Sequence, residues 1–109
     1  MSYDFSMKTN HCPLCDRYDE HGDLNYTYNV SPMFRLALGD SGVHQLAKMK
    51  APEAIDLLDR GIRDMDRNPQ AYEALNPSNG WGSFEGARMC LVTIKEWFEK
   101  YPDGTLIVE

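Results

Sequence analysis

The hydrophobic residues of this chain recur with two different periods, and this change of period constrains the fold most. Tyr3, Phe5 and Met7 alternate with polar residues, and the aromatic and β-branched residues from Leu24 onward do the same. A period of two is typical of a strand with one buried face. A β-branched run also closes the chain after Gly104. We therefore predict strands at residues 2–8, 24–30 and 104–108.

Between these segments the apolar spacing changes to three and four residues, which is the period of an amphipathic helix. Pro52 begins the clearest stripe, and Ser83 is placed to cap another. The pattern predicts helices at residues 32–38, 52–67 and 84–100. Residues 40–50 are ambiguous between a turn and a short helix, and 70–75 can form one more helical turn.

These elements predict an α+β fold in which a small antiparallel sheet packs against two main helices and shorter helical turns. The sheet combines the two N-terminal strands with the C-terminal strand. With 109 residues the chain is the size of a single domain. We expect residues 9–23, which are rich in turn formers, to make an irregular excursion that contains a Cys-x-x-Cys sequence.

Two motifs stand apart from these periodic segments: NYTYNVSPMF at 25–34 and NPSNGWGSF at 76–84. Together with MSYDF at the start and YPDGTLIVE at the end, they resemble a family of short, uncharacterised proteins of bacteriophages and bacteria. The resemblance covers nearly the whole chain. It implies a shared fold and a phage or prophage context, and it provides no catalytic residue.

Charge and hydropathy exclude several classes of partner. The net charge is −6 and the pI is near 4.9, so a phosphate backbone would be repelled, and we expect no direct nucleic acid binding. The chain has no signal sequence and no long apolar run, so we expect a cytoplasmic protein that does not enter a membrane. An acidic balance could instead suit a basic partner, but the acids are mixed with bases along the chain, which favours an ordinary solvated surface.

Cys12 and Cys15 have the spacing of a zinc knuckle, in which two thiolates bind one side of a tetrahedral ion. One knuckle supplies only two of the four ligands of a tetrahedral zinc site. His21 is the preferred third ligand, with His11 or Asp19 as alternatives, while Cys90 is expected to be a buried apolar residue. A free dithiol without metal is the competing interpretation, and no other cofactor is indicated.

The sequence contains none of the common motifs of hydrolases, nucleotide-binding enzymes or metalloproteases, so we predict that the protein is not an enzyme. The remaining candidates are polar and aromatic residues that could bind a ligand or a partner. Amides can bond to a ligand's edges while an indole or phenol ring stacks on its face. The predicted binding residues are Asn25, Tyr26, Thr27, Asn29, Asn76, Asn79 and Trp81.

The same residues also have a purely structural interpretation, since Asn is common in turns and Trp81 could close the core. In either case we expect 25–34 and 76–84 to be adjacent, because a strand face of Asn and Thr needs polar partners. The leading functional hypothesis is a phage-type accessory protein that binds a host protein. The alternatives are a small-ligand or nucleotide-signal binder, and a minor metal-dependent enzyme.

Overall fold

The computed structural model describes residues 2–109 as one antiparallel sheet against a layer of helices. The strands are β1 (Ser2–Thr9), β2 (Asp19–Thr27) and β3 (Thr105–Val108), in the order β2-β1-β3. The α-helices are α1 (Ser31–Leu38), α2 (Ala51–Arg67), α3 (Pro69–Glu73) and α4 (Phe84–Lys100). Short 3-10 helices occupy Tyr28–Val30 and Gly42–Lys48. The predicted α+β class is confirmed.

One face of the sheet carries the core. The alternation in β1 puts Tyr3, Phe5 and Met7 on that face, where each is almost fully buried. The apolar stripes of α2 and α4 cover it, and Leu58 and Leu91 lie at the centre with no exposed surface. Burying these stripes provides the main favourable contribution to folding. The opposite face of the sheet is left free to form other surfaces.

The second strand differs from its predicted range of 24–30. It begins at Asp19 and ends at Thr27, so only residues 10–18 form the irregular connection that we expected over 9–23. At the far end, the Thr27 hydroxyl accepts a hydrogen bond from the Asn29 N–H at 3.2 Å and begins a 3-10 helix. Tyr28, Asn29 and Val30 therefore leave the strand although their alternation continues it.

No helix within residues 2–109 is long and apolar enough to span a membrane.

Candidate binding cleft and cysteine turn

An open cleft of about 960 Å³ lies where the end of β2 meets the loop before α4. We call it the Asn-Trp cleft. The two Asn-rich segments, about 50 residues apart in sequence, are adjacent here, as the sequence predicted. Its lining consists of Ser2, Asn25, Tyr26, Thr27, Tyr28, Asn29, Asn79, Gly80, Trp81 and Gly82.

Tyr26 attaches the loop to the sheet. Its hydroxyl accepts a hydrogen bond from the Ser83 N–H at 3.0 Å, and the Ser83 hydroxyl in turn accepts one from the Gly86 N–H at the start of α4. Gly82 has a φ of +97°, and a Cβ there would lie 2.6 Å from the Thr27 methyl group. The loop backbone therefore approaches the strand as closely as only glycine allows.

The side-chain amides of the loop form hydrogen bonds within the loop. The Asn76 side-chain oxygen accepts a hydrogen bond from the Phe84 N–H at 2.8 Å, and that of Asn79 accepts one from the Trp81 N–H at 2.9 Å. These contacts give Asn76 and Asn79 a structural role and fix the backbone that carries Trp81.

Asn25 does not pair with the loop backbone, which was the expected way of satisfying the strand amides. Its amide nitrogen donates instead to Asp4 Oδ1 at 2.7 Å and to Ser2 Oγ at 3.0 Å, both on β1. The reason is that Asn25 sits opposite Asp4 in the antiparallel ladder, within direct reach of that carboxylate. Asn29 lies beyond the strand, so it does not share a strand face with Asn25 and Thr27.

Trp81 is not part of the core. Its side chain is 69% exposed at the rim of the cleft, on the loop that Tyr26, Asn76 and Asn79 hold in place. The interpretation of Trp81 as a residue that closes the core over the helix ends is therefore wrong. An exposed indole on a fixed loop is instead available for contact with another molecule.

A second depression, of about 270 Å³, lies on the sheet next to the cleft. We call it the acidic recess, and the hydrogen bond between Asp4 and Asn25 joins the two surfaces. Among residues 2–109, no cationic side chain lines it. Its lining consists of Asp4, Phe5, Ser6, Glu20, Asp23, Ile107 and Glu109. Sequence reasoning missed this group because its carboxylates come from separate strands, one of them predicted too short.

The two cysteines lie in a compact turn, residues 12–16, at the tip of the connection between β1 and β2. The Cys12 carbonyl accepts a hydrogen bond from the Asp16 N–H at 2.8 Å, and the Cys12 N–H donates to the Arg17 carbonyl at 2.8 Å. Asp16 has a φ of +59°, a left-handed conformation that closes the turn. We call this segment the cysteine turn.

Donors in this turn are directed at one sulfur. The backbone N–H of Cys15, the Cys15 thiol and the backbone N–H of Leu14 all donate to Cys12, and they hold the pKa of the Cys12 thiol below its ordinary value. Hydrogen bonds to the charged form favour the thiolate, which is the form that binds metal.

The predicted third ligand, His21, is engaged elsewhere. Its Nε2 is 2.8 Å from Thr9 Oγ1, and its ring stacks on Tyr101 at 4.3 Å. Its place within β2, opposite Met7, explains this, since the strand extends further than predicted. His11 forms a 2.5 Å hydrogen bond with Asp16. In residues 2–109 no three His, Cys, Asp or Glu side chains are grouped closely enough to hold a metal ion.

Comparison of the chain with known protein families, with curated proteins and with solved structures finds no match.

Proposed function

We propose that this protein is a non-enzymatic accessory protein of a bacteriophage or prophage, and that it binds a protein of the bacterial host in the cytoplasm. The Asn-Trp cleft and the adjoining acidic recess form the proposed binding surface. The observation that carries the proposal is Trp81, an exposed indole on a loop that hydrogen bonds fix in place.

Tryptophan is among the residues that contribute most to protein interfaces when a partner buries it. Binding normally costs free energy to order mobile loops, but here Asn79 and Tyr26 already order the loop of Trp81. The uncharged polar groups around the indole, from Ser2 to Asn29, can serve as a hydrated rim. This arrangement supports a preformed anchor point.

The acidic recess supports a basic partner. Asp4, Glu20, Asp23 and Glu109 border it, and the whole chain carries a net charge of −6. Lys or Arg side chains on a partner would complement these carboxylates and would accelerate its association at low salt. We therefore propose a partner that presents an apolar group for Trp81 beside one or more cations.

The second candidate function is the binding of a small planar ligand. An indole faces a cleft of about 960 Å³ with amide and hydroxyl groups along its walls, which is large enough for a ring system. The neighbouring carboxylates disfavour a phosphorylated nucleotide, so a neutral or cationic ring is the better fit.

The test compares capture of host proteins by the wild-type chain, by Trp81→Ala and by Met89→Ala. Met89 is a matched control, because it is also a large exposed hydrophobic residue, 59% exposed, on α4. We expect one stoichiometric partner, identified by mass spectrometry, to bind the wild type and Met89→Ala. Trp81→Ala should weaken that binding roughly thirtyfold, equivalent to about 2 kcal/mol, while the unfolding midpoint stays unchanged.

Salt dependence supplies the second readout. The affinity of Asp23→Asn for the partner should fall less between low and physiological salt than that of the wild type. The reason is that the substitution removes one carboxylate from the recess. Retention of the partner by Trp81→Ala would contradict the proposed surface. Absence of any stoichiometric protein, with capture of a small molecule instead, would favour the second candidate.

A further inference from the structure

The cysteine turn provides two potential metal ligands but not a complete metal site. Both thiols are free, and Cys15 is exposed. The rest of the described chain does not complete the pair, because no third His, Cys, Asp or Glu side chain within residues 2–109 is close enough. A tetrahedral thiolate site needs four ligands, so two must come from outside the chain.

We propose that Cys12 and Cys15 form half of a zinc site, and that the same two residues of a second copy of this chain complete it. One zinc ion would then join two molecules at the tips of their β1-β2 connections. The inference does not depend on the proposed function, since it uses neither the Asn-Trp cleft nor the acidic recess.

The geometry of the turn suits chelation. Cys12 and Cys15 lie three positions apart in a turn that the Asp16 N–H closes by donating to the Cys12 carbonyl at 2.8 Å. In a tetrahedral site with Zn–S bonds of about 2.3 Å, two sulfurs lie about 3.8 Å apart. Two thiolates at this spacing in one turn can bind the same ion. Each thiol releases its proton to solvent when the metal binds.

The position of the turn suits a second copy. Residues 13–20 are all exposed, and the Leu14 side chain between the two cysteines is 96% exposed. At the base of the tip, the Asn10 side-chain amide donates a hydrogen bond to Asp19 Oδ2 at 2.9 Å. A two-fold axis through the ion brings two identical pairs together in a tetrahedron and lets both Leu14 side chains be covered.

Charge makes the association dependent on metal. Within residues 8–20 three carboxylates outnumber two cations, so two tips repel each other weakly when no ion lies between them. Zinc–sulfur bonds that span the two chains would outweigh this weak repulsion. Soft thiolate ligands favour zinc over magnesium or calcium, which prefer oxygen ligands.

The test is a zinc titration of the metal-free full chain, kept reduced with a non-chelating phosphine and followed by native mass spectrometry. We expect the mass to change from 12.5 kDa to twice that value, with one zinc ion per two chains. Addition of a chelator should restore the monomer. Cobalt in place of zinc should give the absorption of a four-thiolate tetrahedral site.

Variants separate this site from other zinc ligands. Cys12→Ser and Cys15→Ser should each abolish the zinc-dependent dimer, and both positions are in an exposed turn where the fold tolerates the change. His11→Ala and Cys90→Ala should retain the dimer, since neither residue is a proposed ligand. Circular dichroism checks that each variant is folded.

Binding of one zinc ion to a single monomer would overturn the proposal, as would the absence of zinc binding in the reduced chain. A zinc-dependent dimer that survives Cys12→Ser would overturn it as well.

Discussion

At Gly22 the backbone of β2 comes into close contact with α4. Gly22 has a φ of +75°, and a Cβ at this position would lie 2.6 Å from the Trp97 ring of α4. The strand register shifts at the same point: Phe5 faces Leu24 but Met7 faces His21, so two residues of β2 oppose one residue of β1. This is a β-bulge with glycine in the left-handed position. The bulge lets the Trp97 ring lie directly against the strand backbone.

We predict that Gly22→Ala destabilises the protein more than Gly80→Ala. Both glycines have a φ of +75°, so both substitutions carry the backbone strain of about 1 kcal/mol. Of these two glycines, only Gly22 has a neighbour in the way, because no atom of residues 2–109 lies within 4 Å of a Cβ at Gly80. In Gly22→Ala, displacing Trp97 should lower the free energy of unfolding by about 1–3 kcal/mol more. Urea unfolding of the two variants measures the difference, and equal losses would show that Trp97 moves aside freely.

The same bulge explains why the sequence does not reveal the start of β2. Alternation is the signal for a strand, but the extra residue at Gly22 and Asp23 puts His21 and Leu24 on one face three positions apart. The segment is also highly polar, which favours a loop interpretation. Helices contain no such interruption, and so α2 and α4 match their predicted ranges within one residue.

The candidate site, like the fold, is only partly predictable from the sequence. The adjacency of the two Asn-rich segments is predicted from the need of strand amides for polar neighbours, but in the structure Tyr26 and Gly82 bring the segments together. The actual partner of Asn25 is not predictable, because it depends on the ladder register that places Asp4 opposite. The exposure of Trp81 depends on the path of a loop closed by Tyr26, and local sequence does not encode a contact between residues about 57 positions apart.

At the scale of elements, α4 connects the core to the surface. One side of this helix has Leu91 fully buried among the residues of the core, while Met89 on another side is 59% exposed. The helix begins at the Ser83 cap, where the loop of the Asn-Trp cleft ends. Stability of the core and position of the cleft are therefore linked through one element.

We predict that Leu91→Ala lowers the free energy of unfolding by about 2–5 kcal/mol, because it removes buried methyl groups and leaves a cavity. Met89→Ala on the same helix should change it by less than about 0.5 kcal/mol. Chemical denaturation of both variants gives the comparison. A loss below about 1 kcal/mol for Leu91→Ala would mean that the core relaxes around the cavity.

At the scale of the whole molecule, buried titratable groups set the response to alkaline pH. Burial raises the pKa of the Cys90 thiol to about 12. Burial, together with the neighbouring Asp64 carboxylate, also raises the pKa of Tyr72 well above its ordinary value. Both groups hold their protons in the folded chain at a pH where the unfolded chain releases them.

The stabilisation that these groups provide should therefore be fully present below about pH 9. The free energy of unfolding should decrease as the pH rises above that value, because the unfolded state then binds fewer protons than the folded state. Urea unfolding between pH 8 and 10.5 measures the slope. Cys90→Ala should give a shallower decrease between pH 9 and 10, whatever its effect at neutral pH. An identical slope in this variant would mean that Cys90 titrates normally in the folded state.

The order of strands in the sheet has a consequence for how the chain reaches this structure. β1 and β2 join through a short connection and can pair early, whereas Phe5 of β1 pairs with Val108 of β3 across a separation of about 100 residues. During synthesis on the ribosome, β3 is the last described element to emerge, so one edge of the central strand stays open until the helices have formed. An open edge pairs with any suitable extended segment, including β3 of another nascent chain. Exchange of this strand between molecules is therefore the misfolding route that the topology favours.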